Sequence, residues 1–126
     1  MKNIEGGVCA PIGFKATGIH CGVRKNKDKK DLSLIVSDVM CHSASTYTQN
    51  KVKGAPIYVT KEHLENNEAI AILCNSGNAN TCNEDGIDIA NAMCDLCAKE
   101  LNIKAEDIII ASTGVIGQPL SLEPFE

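Results

Sequence analysis

Short apolar runs separated by polar breaks rich in Gly and Asn set the pattern of this chain and predict its elements. Residues 14–23 alternate loosely and carry Gly18 and Gly22, which suits a strand with a bend or a close backbone approach. Residues 32–39 hold Leu32, Leu34, Ile35, Val36 and Val39, a second strand. The charged stretch from Arg24 to Asp31 lies between them and reads as the solvated turn of an antiparallel hairpin, with a phosphate-binding patch as the minor alternative. Ala44-Ser45-Thr46-Tyr47-Thr48 has strand propensity and predicts an extension of the same sheet. Pro56 stands where a first helical turn can begin, so residues 57–64 read as a short helix, ended by Glu65-Asn66-Asn67. The apolar run at 69–74 reads as a buried strand. Over 84–101, Ala90, Met93, Cys97 and Leu101 recur at helical spacing, and Asn102 supplies a stop. A last strand covers 107–112.

The order β-β-β-α-β-α-β begins as a meander and ends with strands alternating with helices. That predicts an α/β fold, a mixed sheet with helices on one face. The tail from Gln118 to Glu126, with Pro119 and Pro124, shows no strong element. The chain's 126 residues are one domain's worth.

Composition narrows the function classes. A formal charge of −4 without a long basic block argues against nucleic acid as the main partner. Two Phe, two Tyr and no Trp leave little to stack on bases. Met1 to Gly7 contains no apolar leader, and no run approaches bilayer length, so a cytoplasmic protein without membrane contact is expected. The seven cysteines are scattered and odd in number, which suits small core residues in a reducing compartment rather than a disulfide framework. Cys94-Asp95-Leu96-Cys97 falls mid-helix, and Cys74 with Cys82 does not complete a zinc set, so no metal is expected.

Two segments carry candidate chemistry. Ile108 to Gly117 is a strand-like run ending in Ser112-Thr113-Gly114. Such a turn can aim a hydroxyl and a backbone N–H at one spot past the strand end, the donors that hold an oxyanion or another anion. A plain strand-to-loop turn with a capping hydroxyl accounts for the same residues. Asn75-Ser76-Gly77-Asn78-Ala79-Asn80 follows a predicted strand, where ligands often meet an α/β sheet. These side chains can bind a carboxylate or brace a neighbouring loop, and bracing near the site is the favoured role for Asn75, Ser76, Gly77 and Asn78. His20, His42 and His63 form no nucleophile–base pair with a nearby Ser or Cys. Lys15 and Thr17 are within reach of the site but not required by it, and Ser37-Asp38 reads as a strand-end turn.

Taken in order and spacing, the segments Gly13 to Gly22, Leu34 to Val39, Asn75 to Asn80 and Ile108 to Gly117 resemble the ornithine acetyltransferases, the glutamate N-acetyltransferases of arginine biosynthesis. The resemblance runs from about Gly7 to about Leu120. It implies a layered α/β/β/α sandwich completed by a second chain. Residues 1–126 would then be one incomplete domain, the N-terminal part of the α chain, with an apolar sheet face uncovered. It also implies a precursor that cuts itself before a threonine, the N-terminal nucleophile of the β chain. That threonine takes acetyl from N-acetylornithine and passes it to glutamate, its own amine serving as base. Thr113, through its hydroxyl, and Gly114, through its N–H, would form the oxyanion hole.

On the same resemblance, the nucleophile and most substrate-binding residues lie beyond Glu126, so this chain alone would be inactive. Two α and two β chains would assemble. No cofactor is implied, although acetyl-CoA serves as acetyl donor in bifunctional members. Two alternatives come from other classes. In one, the Thr113-Gly114 turn and the 75–80 loop hold a phosphate or carboxylate without chemistry. In the other, the chain only supplies half of a core.

Overall fold

The computed structural model describes residues 3–126. Met1 and Lys2, the start of the stretch read above for a leader, lie outside the described residues. The elements are β1 (Phe14–Ile19), β2 (Leu32–His42), α1 (Ala55–His63), β3 (Glu68–Asn78), α2 (Gly86–Leu101) and β4 (Ile108–Val115), with short 3-10 turns beside them. The strands lie side by side in sequence order. β1 pairs antiparallel with β2, β2 antiparallel with β3, and β3 parallel with β4. A parallel pair needs a crossover, and α2 supplies it.

Alternation along the strands sorts the two faces of the sheet. Ala69, Ala71, Leu73 and Asn75 of β3 are buried, as are Ile108 and Ile110 of β4. Ala71, Leu73, Ile108 and Ile110 share one core with Val59 of α1 and Ala90, Met93, Cys94 and Ala98 of α2, so both helices cover the same face. Ile35, Ile72 and Ile109 alternate to the opposite face, half-buried and outside that core. Met93 is 1% exposed at the centre of the helical layer. Met93→Ala is expected to cost about 3 kcal/mol, read as a lower urea midpoint with an unchanged slope.

α1 also covers part of the open edge of β4. The Thr60 hydroxyl donates to the Ile110 carbonyl at 2.8 Å and accepts from the Ile110 N–H at 3.0 Å. The His63 ring Nδ1–H donates to the Ile108 carbonyl at 2.8 Å. Backbone groups that would template another strand are thereby occupied.

Three expectations change. Ala44-Ser45-Thr46-Tyr47-Thr48 forms no strand. β2 already has a neighbour on each side, and the chain leaves the sheet after His42 to reach α1. β propensity measures fit to a half-buried pleated surface, and this mostly exposed segment has none. β1 stops at Ile19 rather than continuing to Val23, because residues 20–24 fold back around Asp31. The tail is not featureless either: Leu120 is buried in the core, and Leu122 and Phe125 pack against it.

Candidate functional site

β3 and β4 end together, and that brings the two chemically suggestive segments into contact. Ser76 pairs with Thr113 and Gly77 with Gly114, after which Asn78 lies opposite both Thr113 and Val115 in a bulge. Gly114 has φ +137°, and a Cβ there would stand 2.3 Å from the Gly77 carbonyl carbon and 2.6 Å from the Asn78 nitrogen. Only glycine fits so close to a neighbouring backbone. Thr113 is in phase with Ile109 and Ala111, so it stands on the sheet face turned away from the helices. Ile110 turns its N–H and C=O to the open edge, where Thr60 takes them. The same phase carries to Gly114, whose N–H is thus directed away from β3. Both Thr113 and Gly114 are exposed.

The asparagines lie beneath this turn. Asn75, Asn78 and Asn80 are buried. The Asn75 amide donates to the Asn78 carbonyl at 3.0 Å, and the Asn78 amide donates to the Gln118 and Pro119 carbonyls at 3.0 and 3.2 Å. The Asn78 side-chain oxygen accepts from the Asn80 N–H at 2.8 Å, while the Asn80 amide donates to the Gly86 carbonyl at the start of α2. These bonds tie the end of β3 to the segment that follows β4 and to α2. The Asn75 side-chain oxygen and the Ser112 hydroxyl, on paired positions of β3 and β4, are buried without a hydrogen-bond partner among the described residues.

Beside the turn lies a cleft of about 340 Å³ whose lining includes Gly18, Lys30, Asp31, Ser33, Ser76 and Thr113. Asp31 is the residue the sequence did not reveal. At 2% exposure its carboxylate accepts from the N–H groups of Cys21 at 2.6 Å, Gly22 at 3.3 Å and Arg24 at 2.7 Å. His20 Nδ1 stands 3.2 Å from the same carboxylate. Burial pushes this carboxyl up, but the amides of Arg24, Cys21 and Gly22 and the Cys21 thiol outweigh it and hold it down to about 2.

A carboxyl lower in the folded state than its ordinary 3.8 binds fewer protons folded than unfolded between those values. Its stabilisation is full above the unfolded value and is lost as pH falls through about 2. Asp31→Asn is therefore expected to lower stability by about 2 kcal/mol at neutral pH and to flatten that acid limb. Urea midpoints measured across the acid range check both effects. The available signal was an acidic residue closing a basic run directly before an apolar strand. It does not disclose the amides that the carboxylate gathers.

The other candidates scatter. Lys15 makes an exposed ion pair with Asp38 at 2.5 Å, and Thr17 lines a different groove, toward α2. His63 serves the edge of β4, as described. Burial, with the Cys97 and Asp95 charges adding to it, pushes the Cys94 thiol up to about 12, and burial raises Cys97 as well. Neither is a reactive thiolate.

The paired ends of β3 and β4 lie within a recognised family pattern: the model of the ArgJ family matches residues 15–126. The chain belongs to the ArgJ family. Among its relatives is an arginine biosynthesis bifunctional protein ArgJ of Clostridium acetobutylicum, 46% identical over 111 residues, which cover 87% of this chain and 27% of that protein. The Bacillus subtilis ArgJ is 41% identical over 125 residues, covering 98% of this chain and 30% of the relative. This ArgJ-family chain therefore matches only 27% to 30% of the length of these two relatives. The crystal structure of ArgJ from Bacillus halodurans superposes with a TM-score of 0.89 at 39% identity, covering 95% of this chain and 63% of that one. Ornithine acetyltransferase from Mycobacterium tuberculosis, solved in complex with ornithine, gives 0.87 at 30% identity, over 94% and 64%. Both support the mixed α/β architecture.

Proposed function

We propose that this chain is the N-terminal part of the α chain of a glutamate N-acetyltransferase, and that Thr113 and Gly114 form its oxyanion hole. One observation carries the assignment. Thr113 and Gly114 close an edge strand beside Ser76–Asn78, exposed, with the Gly114 N–H directed away from β3. A hydroxyl and an N–H held there can meet the oxygen of an acetyl group presented from outside the chain. The family name and the ornithine-bound relative support the substrate class.

In this mechanism the N-terminal threonine of a second chain attacks the acetyl carbonyl of N-acetylornithine. The carbonyl oxygen gains negative charge, and Thr113 and Gly114 donate hydrogen bonds to it. The threonine amine takes the hydroxyl proton and gives it to the departing ornithine amine as the C–N bond breaks. The amino group of glutamate then attacks the acetyl-threonine ester, and the ester C–O bond breaks. The proton lost by the glutamate amine passes through the threonine amine to restore the threonine hydroxyl, and N-acetylglutamate leaves. Acetyl-CoA is a second acetyl donor only if the completed pocket accepts it.

Half-buried Ile35, Ile72 and Ile109 on the bare sheet face suit a layered α/β/β/α sandwich with that second chain. Two α and two β chains in the cytoplasm complete the proposal. Among the described residues no helix is long and apolar enough to cross a membrane. The test is acetyl transfer by the complete protein, this chain joined to the polypeptide that its longer relatives carry. Transfer from N-acetylornithine to glutamate is expected. Carboxylate or phosphate binding by this chain alone, with no transfer in the complete protein, would favour the anion-binding module.

A further inference from the structure

We infer that Asp31 and Arg24 are positioning residues for the Gly114 donor, acting through Gly77. The inference rests on the oxyanion assignment above and extends it to residues on a different part of the chain. The 21–24 loop, the end of β3 and the end of β4 meet in series at this point. The Asp31 carboxylate gathers the amides of Cys21, Gly22 and Arg24 into one tight loop. Its main chain is fixed as well, its N–H donating to the Ile19 carbonyl at 2.9 Å and its carbonyl accepting from the Ser76 N–H at 2.8 Å.

That loop lies directly on Gly77. A Cβ at Gly77 would meet Arg24 Cγ at 2.8 Å and Val23 Cγ1 at 3.1 Å, and Gly77 has φ +111°. The Arg24 guanidinium continues the contact, its Nε–H donating to the Ser76 hydroxyl at 3.0 Å. On the other side Gly77 meets Gly114, where an added Cβ would reach the Gly77 carbonyl carbon at 2.3 Å. The loop presses on Gly77 through the γ carbons of the Arg24 and Val23 side chains, and Gly77 meets Gly114 backbone to backbone. A shift of the 21–24 loop therefore passes through the Gly77 peptide to the Gly114 peptide.

Displacing a donor by about 1 Å can cost about a hundredfold in rate when its distance to the oxyanion sets the barrier. Such a displacement acts on the transition state, where charge develops on the oxygen, and leaves ground-state binding of N-acetylornithine alone. A purely structural role would lower stability and active fraction without changing kcat per active site.

The experiment uses the complete protein and compares Asp31→Asn, Arg24→Met and Thr113→Ala with the unaltered enzyme. kcat is normalised to active sites titrated by acetyl-threonine formation. Because Asp31→Asn also weakens the fold, Arg24→Met is the decisive partner. It keeps the Arg24 N–H on Asp31 and the Cγ against Gly77, and removes the guanidinium charge together with its tie to Ser76. The expected result is a kcat lowered about tenfold in Arg24→Met and further in Asp31→Asn, with KM for N-acetylornithine within about twofold. Both variants at unaltered kcat, or a loss carried by KM, while Thr113→Ala is slow, would overturn this inference and leave the oxyanion hole standing. Thr113→Ala at the unaltered rate would overturn both.

Discussion

Thr113→Ala should slow acetylation of the second chain's threonine by about a hundredfold to a thousandfold, with the protein still folded and still cut into two chains. The threonine is exposed at the end of β4 on the bare sheet face, so losing its hydroxyl leaves no buried gap. Its effect falls on the tetrahedral intermediate, whose oxygen loses one of two donors. One strong donor in a water-excluded site lowers the barrier by about 3–4 kcal/mol. Rapid mixing with N-acetylornithine, followed by mass measurement of the second chain, reads the loading rate directly. Thr113→Ser should retain most of it, since the hydroxyl is what matters.

Gly114→Ala acts by another route and should be at least as severe. The new methyl carbon would stand 2.3 Å from the Gly77 carbonyl carbon and 2.6 Å from its oxygen, all backbone atoms with no rotamer to relieve them. φ at +137° adds strain of its own. The ends of β3 and β4 must separate, which breaks the pairing of Asn78 with Thr113 and Val115 and the bond from Ala79 N–H to the Val115 carbonyl. A loss of about 3 kcal/mol or more is expected, together with near-complete loss of transfer. Urea unfolding of this chain and transfer by the complete protein separate the two effects. Thr113→Ala should leave the unfolding midpoint within about 0.5 kcal/mol of its starting stability, whereas Gly114→Ala should not.

How much of this was legible in the chain depends on the range of the interactions. α2 was visible because Ala90, Met93, Cys97 and Leu101 repeat at helical spacing, and Asn102 stops it with φ +55°. β3 and β4 were visible as apolar runs, but their ends were not: β3 runs on to Asn78 and β4 to Val115, through residues whose Asn, Ser and Gly read as loop and turn. Ala44–Thr48 misled because Thr and Tyr report a preference for sheet surface without saying whether a sheet is there. At the site, the residue types were readable but their meeting was not. Ser76 opposite Thr113 and Gly77 opposite Gly114 depend on a parallel pairing reached through α2, some 37 positions along the chain. Asp31 was hidden for a related reason. Its partners are main-chain amides of an irregular loop, and amides look alike in every sequence.

The most direct test of the account is the intact mass of the complete protein before and after N-acetylornithine is added. The account predicts two chains, the second beginning with threonine and gaining a single acetyl group, with the gain sharply delayed in Thr113→Ala. A single uncut chain that gains no acetyl group would contradict it, leaving the ArgJ fold without the transfer chemistry assigned to it here.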